Sequence, residues 1–253
     1  MTTVDSGTQS IHTAVRVVEL VGHRGPIGVS ELARTLDLPK STAQRTLHTL
    51  RAAGWLRQAT GGRWSLTLRC AAVGRGLLSE EALRAAARPL LIELRDRTHE
   101  TTRWFLIEGE SLVVVDGAES DHAVRAVESE LALPVPLHAT AVGKALLARW
   151  PRAQVDAALG SSLAAVTPKT ITSLDALHVD LDRIRTRGWG EVREELYLDV
   201  GGVAAVAPVN DDTAVGIGVS YPLHRSSATT IRSYGALVAD AAERLATLTA
   251  SSL

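Results

Sequence analysis

The sequence has one cysteine, Cys70, and no long run of apolar residues. A single cysteine cannot form a disulfide within the chain, and it argues against a structural zinc site. No apolar run reaches the roughly 18 residues that a membrane-spanning helix needs. The first ten residues are polar and lack the hydrophobic stretch of a secretory signal. These absences lead us to expect a cytoplasmic protein with no membrane partner, no metal site and no cofactor.

The net charge of −1 hides an uneven distribution of charge along the chain. Residues 1–70 contain nine basic and four acidic residues, whereas the remainder contains 18 basic and 24 acidic residues. A basic segment joined to an acidic body is typical of a protein with a polyanion-binding head. Taken alone, the same distribution also fits an ordinary solvated surface.

The first part of the chain has the pattern of three short helices. Apolar residues at helical spacing predict a first helix over residues 10–22. Ser30 has the residue type of a helix N-cap and predicts a second helix that ends near Asp37. Pro39 suits the first position of a third helix, which we expect to end near Ala53.

Two short runs typical of β-strands follow, at residues 55–58 and 63–66. They are separated by a turn that contains Gly61 and Gly62, which predicts a β-hairpin. Three helices followed by a hairpin predict a winged helix-turn-helix domain, to which we assign residues 1–68.

The third helix carries polar side chains suited to DNA. A helix fits the major groove, where base edges present distinguishing donors and acceptors, so that Gln44 can pair with adenine and Arg45 with guanine. The alternative is that these residues form the solvated face of a small helix. The helix-turn-helix spacing, the hairpin and the local positive charge occur together, and this combination favours DNA binding. The predicted DNA-binding residues are Lys40, Ser41, Thr42, Gln44, Arg45 and His48 on the helix, with Arg57 and Arg63 on the hairpin.

The rest of the chain is predicted to hold a linker helix at residues 69–80 and a larger domain at residues 81–253. The larger domain begins with a helix over residues 81–97, in which Pro89 marks either a kink or the junction of two helices. Strands, one of them at residues 123–127, are flanked by further helices. This order predicts an α/β or α+β layer and an α+β protein as a whole.

Four stretches of this chain resemble the IclR-type transcriptional regulators. They lie at residues 28–34 (GVSELAR), 38–47 (LPKSTAQRTL), 138–148 (HATAVGKALLA) and 203–209 (VAAVAPV). The resemblance implies a repressor or activator that binds double-stranded operator DNA under the control of a small effector, an organic acid or an aromatic compound. It also implies a GAF-like effector domain and assembly as a homodimer or homotetramer.

The resemblance also implies a set of effector-binding residues. Small residues in this set would admit a ligand close to the backbone, and the first turn of a helix offers N–H groups to a carboxylate. Many family members have cysteine at the position of Ala204 and an acid at that of Tyr197, so this site is less polar than a short-acid sensor requires. Trp104 and Tyr221 either line a pocket for a larger acid or fill the core. The implied effector residues are Val142, Gly143, Glu194, Tyr197, Gly202, Ala204, Gly218 and Ser220.

An enzyme is the alternative class, and the sequence gives it little support. Residues 218–222 approach a nucleophile elbow, but Pro222 replaces the last glycine. The Gly143-Lys144 pair lacks the other residues of a phosphate-binding loop, so we expect Lys144 to be structural, in an ion pair. We predict no catalytic residues. A third possibility is a DNA-binding protein whose C-terminal domain only oligomerises.

Overall fold

The computed structural model describes residues 6–59, 61–74, 80–122, 135–211 and 213–250. These residues form two compact units, one ending at residue 74 and the other beginning at residue 80. The strand predicted at residues 123–127 and the end of the predicted linker helix, residues 75–79, lie outside the described residues.

The N-terminal unit consists of three helices, a hairpin and a short further helix, as the sequence predicts. Its elements are α1 (Ser6–Arg24), α2 (Val29–Thr35), α3 (Lys40–Ala52), β1 (Leu56–Gln58), β2 (Trp64–Leu66) and α4 (Leu68–Gly74). Leu20, Leu32, Leu47 and Trp64 are buried together in one core. The hairpin turn is confirmed, because Gly61 and Gly62 both have the positive φ that such turns require.

Two predicted helix starts are wrong by one or two positions. Ser30 is not an N-cap, because α2 begins at Val29 and Gly28 occupies the cap with extended backbone. The physical reason is that Ile27 pairs with Trp64 through two backbone hydrogen bonds of 3.0 and 2.8 Å, which keeps the chain extended up to Gly28. Pro39 is the N-cap of α3 rather than its first residue.

The C-terminal unit is built on a five-stranded antiparallel sheet in the order β4-β3-β7-β6-β5. The strands are β3 (Thr101–Glu108), β4 (Ser111–Ala118), β5 (Gly190–Arg193), β6 (Val200–Pro208) and β7 (Thr213–Pro222). The helices are α5 (Glu80–Thr98), α6 (Ala141–Leu147), α7 (Arg152–Leu159), α8 (Leu174–Arg187) and α9 (Ala228–Ala250). The α+β class is confirmed, and α5 is one helix with Pro89 inside it.

The two faces of this sheet differ because side chains alternate along a strand. One face packs against α5 and α9 in a core that contains Trp104, Val219, Tyr221 and Leu245. Both Trp104 and Tyr221 are fully buried there, which confirms that they fill the core. The other face, over β5, β6 and β7, contacts α6, which in turn packs against α8.

A buried cation, Lys144, fixes the position of α6. Its side chain is 0% exposed, and its Nζ lies 2.9 Å from Asp180 Oδ2 of α8 and 2.7 Å from the carboxylate of Glu195, beyond β5. The predicted ion pair of Lys144 is thus confirmed, with two partners. Burial raises the pKa of Glu195, although the nearby Lys144 acts in the opposite direction. The interaction joins α6 to α8 and to the loop between β5 and β6.

The raised pKa of Glu195 makes stability depend on pH in a definite direction. A carboxyl group with a higher pKa in the folded state stabilises the fold fully below its unfolded pKa, and this contribution is lost as pH rises through the folded pKa. We expect the free energy of unfolding of the wild type, minus that of Glu195→Gln, to become more positive as pH falls from about 8 to about 5.

Urea denaturation across that pH range measures this difference. Glu93→Gln is the matched control, because hydrogen bonding to Arg244 lowers the pKa of Glu93. The contribution of Glu93 is fully present above its unfolded pKa and is lost only at lower pH, so for that variant the difference should stay nearly constant between about pH 8 and about pH 5. A difference for Glu195→Gln that is constant with pH would contradict the prediction.

Gly235 provides a second test of packing in this unit. It lies within α9, where a Cβ would come within 2.1 Å of the ring of Trp189. Alanine is normally about 1 kcal/mol better than glycine inside a helix. Here we expect Gly235→Ala to lower the free energy of unfolding by about 1–3 kcal/mol, because the ring must move.

The control for Gly235→Ala replaces Trp189, whose ring the new methyl group would contact. In a Trp189→Leu background, Gly235→Ala should be neutral or stabilising, which a double-mutant cycle in urea would show. An equal loss of stability in both backgrounds would mean that the contact with Trp189 is not the cause.

Candidate functional site

The outer face of α3 presents most of the predicted DNA-binding residues to solvent. Ala43, Leu47 and Leu50 face the core, as their spacing predicts. This orientation leaves the other predicted side chains of α3 on the outside, exposed except for the half-buried Thr42. The exposed ones are Lys40, Ser41, Gln44, Arg45 and His48.

Several of these side chains have no partner within their own unit. Among the described residues, the side chains of Lys40, Gln44, Arg45 and Arg57 make no hydrogen bond or ion pair. Arg57 lies on β1 and is exposed. Such side chains can turn toward a phosphate or a base edge without breaking an existing interaction.

Arg63 and His48, by contrast, are already engaged. Arg63 donates from Nε to the carbonyl of Pro26 at 2.7 Å and lies 3.7 Å from the carboxylate of Glu31. It therefore ties the hairpin to the turn before α2. The ring of His48 packs edge-on against Trp64 with centroids 5.5 Å apart. The sequence alone predicts Arg63 and His48 as DNA-binding residues like the others. It does not reveal their partners, because Pro26 and Trp64 are distant from them in the sequence.

Four of the implied effector residues lie together on the sheet face that contacts α6. Gly202 pairs with Ser220, and Ala204 pairs with Gly218, so all four point to the same side of β6 and β7. All four are buried. The structure therefore brings together residues that are up to 18 positions apart.

Val142 and Gly143 lie on α6, above this face. A Cβ at Gly216 of β7 would lie 2.7 Å from a methyl of Val142, which shows how closely the helix approaches the sheet. The expectation that this turn offers free N–H groups is wrong for Gly143. Its N–H donates to Thr140 Oγ1 at 3.0 Å, because Thr140 caps the helix.

Glu194 and Tyr197 lie in the loop between β5 and β6, rather than on the sheet face. Glu194 has a φ of +61°, and its carboxylate accepts a hydrogen bond from the N–H of Asp199 at 3.2 Å. Thr167 Oγ1 donates to the carbonyl of Glu194, which holds the loop from the other side. Tyr197 is half-buried.

The described residues form neither a metal site nor a nucleophile elbow. In the described part of the chain, no group of three or more His, Cys, Asp or Glu side chains could hold a metal ion. Ser220 is buried within β7, which continues to Pro222, and so it does not stand at a strand-to-helix elbow. No described helix is long and apolar enough to cross a membrane.

Curated proteins and solved structures similar to this chain are bacterial regulators. The chain is 31% identical over 250 residues to the HTH-type transcriptional regulator KdgR of Escherichia coli (strain K12), covering 96% of this chain and 94% of that protein. It is 33% identical to the glycerol operon regulatory protein of Streptomyces griseus, covering 86% of each. The crystal structure of an IclR transcriptional regulator from Silicibacter sp. TM1040 is 26% identical, with a TM-score of 0.76 and coverage of 95% and 96%.

A further structure shares the fold at lower identity. It is an IclR homologue from Microbacterium hydrocarbonoxydans complexed with 4-hydroxybenzoate, 23% identical with a TM-score of 0.73, covering 96% of this chain and 99% of that one.

Family models cover almost the whole sequence. Residues 10–60 match the IclR helix-turn-helix domain, and residues 65–247 match the bacterial transcriptional regulator IclR C-terminal domain. With the helix-turn-helix and the α/β unit both present, this chain belongs to the IclR family of DNA-binding transcriptional regulators.

Proposed function

We propose that a small organic or aromatic acid controls operator binding by this regulator, and that it acts on a GAF-like C-terminal domain. The observation that carries the proposal is the cluster of Gly202, Ala204, Gly218 and Ser220 on the sheet face that contacts α6. Small side chains there let a ligand approach the backbone. We further propose the domain boundaries 1–68, 69–80 and 81–253, and a cytoplasmic site of action, because the DNA partner is there.

The DNA-binding half of the proposal rests on the exposed, unpaired side chains of α3. Gln44 and Arg45 lie on the second turn of the helix, which is the part of a recognition helix that contacts bases. Lys40 at its start and Arg57 on the hairpin are suited to phosphates. Arg63 has a double role in this proposal, since it also holds the hairpin in place.

The effector half is supported by the fold relative that holds 4-hydroxybenzoate, an aromatic carboxylate. A homodimer or homotetramer would present two copies of α3 to an inverted-repeat operator, with half-sites about one helical turn apart. Effector binding would shift the population of DNA-competent dimers through residues 69–97.

Arg45 provides the test of base recognition. We expect Arg45→Ala to weaken binding to the DNA upstream of the protein's own gene by about 1–3 kcal/mol, with a smaller loss on scrambled DNA. Titrations of both DNAs over a range of salt concentrations measure this. Arg152→Ala is the control, because Arg152 is an exposed arginine of the C-terminal unit that pairs with Asp175. An equal loss on both DNAs would make Arg45 a phosphate contact instead.

Thermal denaturation with a panel of carboxylic acids tests the effector. A ligand that binds only the folded state stabilises it by about 2.7 kcal/mol at 100 times its Kd. We expect at least one acid to raise the melting temperature and to change the affinity for upstream DNA. If no acid does either, a C-terminal domain that only oligomerises becomes the better interpretation.

A further inference from the structure

A cleft of about 730 Å³ lies at the base of the hairpin in the N-terminal unit. It lies between the end of α3 and the hairpin, which are the two elements that carry the predicted DNA-binding residues. The residues that line it are Gly54 after α3, Arg57 of β1, and Thr67, Leu68 and Arg69 around the start of α4.

The two charged residues of this cleft are both arginines, and both are exposed. Among the described residues, the side chains of Arg57 and Arg69 make no hydrogen bond or ion pair. The acidic residues described in this unit are Glu19, Glu31 and Asp37, and none of them lines the cleft. Like charges at one cleft repel each other, and an anion bound between them would offset that repulsion.

Backbone contacts hold Arg69 at the cleft. Thr67 Oγ1 donates to the carbonyl of Gly54 at 2.6 Å, and the N–H of Thr67 donates to the carbonyl of Trp55 at 3.0 Å. These bonds fix the chain after the hairpin to the end of α3, two residues before Arg69. A Cβ at Gly54 would lie 3.5 Å from Arg69 Nη1, so the guanidinium lies beside the backbone there. The position of Arg69 therefore does not depend on an ion pair of its own.

The chemistry of the cleft favours a phosphate of the DNA backbone. Phosphate oxygens receive a large share of the hydrogen bonds that proteins make with DNA, and arginine is a frequent donor. Because Arg57 and Arg69 are unpaired, a phosphate can bind them without displacing an acid. Leu68, which is 89% exposed, would suit a contact with another protein. Two unpaired cations with no acid among the described lining residues favour the polyanion over that alternative.

We propose that Arg57 and Arg69 together bind one backbone phosphate of the operator, in addition to the contacts that α3 makes. The inference rests on the DNA-binding half of the proposed function, and it adds Arg69, which lies beyond the hairpin. A guanidinium binds phosphate through two parallel N–H bonds. Because a backbone phosphate does not identify a base, this contact contributes equally to the binding of operator DNA and of any other duplex.

The test measures how the affinity of the full-length protein for DNA depends on salt. Fluorescence anisotropy follows binding to the upstream DNA and to scrambled DNA over a range of salt concentrations. We expect Arg69→Gln to weaken binding to both DNAs by the same factor, at least about threefold at low salt. The slope of log affinity against log salt concentration should become shallower by about one unit for each bound protomer.

Two further variants test whether the arginines share one phosphate. In the Arg57→Gln/Arg69→Gln double variant, the slope should change by about one unit for each protomer, as in the single variant, because only one phosphate contact is lost. Arg69→Lys keeps the positive charge and should retain the wild-type slope. If Arg69→Gln fails to fold, Arg57→Gln tests the same contact, since it leaves Arg69 in place.

The controls separate charge, position and folding. Arg152→Gln removes the same charge from an exposed arginine of the C-terminal unit that pairs with Asp175, and it should leave the slope unchanged. Leu68→Ala changes the same cleft without changing its charge, and it should leave the affinity for both DNAs unchanged. The free energy of unfolding of Arg69→Gln in urea should equal that of the wild type, because its side chain has no described hydrogen bond or ion pair to lose.

The outcomes distinguish this inference from the proposed function. An unchanged slope in Arg69→Gln, a loss confined to upstream DNA, or a change of two units in the double variant would overturn the shared phosphate contact. The DNA-binding proposal would still stand if Arg45→Ala weakens binding. A changed sedimentation mass of Leu68→Ala, with an unchanged slope in Arg69→Gln, would assign the cleft to a protein contact instead. If the wild type binds neither DNA at low salt, both the inference and the proposed DNA binding fail.

Discussion

A buried ammonium group with two carboxylate partners joins three parts of the C-terminal unit. A fully buried charge is tolerated only when it is paired, and removing one partner leaves an uncompensated charge. Lys144 therefore keeps α6 against α8 and against the loop that starts at Glu195. Because α6 is held there, its backbone at Ala141 can approach Gly190 so closely that a Cβ would lie 2.3 Å from the carbonyl oxygen. The close contact between α6 and the sheet depends on this placement.

The two faces of the sheet differ because side chains alternate along each strand. Residues such as Val203, Val219 and Tyr221 point toward α5 and α9 and form a dense core. Their neighbours Gly202, Ala204, Gly218 and Ser220 point the other way, toward the face that contacts α6, and their side chains are small. One strand thus contributes to stability on one side and to a candidate ligand surface on the other.

Arginines in the two units divide into those that hold structure and those that are available to bind. Arg63 is tied to the carbonyl of Pro26 and orients the hairpin, while the side chain of Arg45 on α3 has no partner among the described residues. A binding role for an arginine follows from how firmly its partner is held, because the ligand must replace that partner.

Local patterns in the sequence determined the elements of the N-terminal unit. The spacing of Ala43, Leu47 and Leu50 identified the buried side of α3, and the two glycines of the hairpin identified its turn. Family motifs identified the α6 segment and the glycine-rich strands. These features depend on residues within a few positions of one another.

Only the tertiary structure decided the start of α2, the partners of Lys144 and the pairing of the small residues on β6 and β7. The helix start follows from the pairing of Ile27 with Trp64, which are distant in sequence. Asp180 and Glu195 reach Lys144 from separate elements. Gly202 and Ala204 become neighbours of Ser220 and Gly218 only because β6 pairs with β7 in this register. Strand order and register arise from packing of the whole sheet, so periodicity within one strand cannot specify which residues become neighbours.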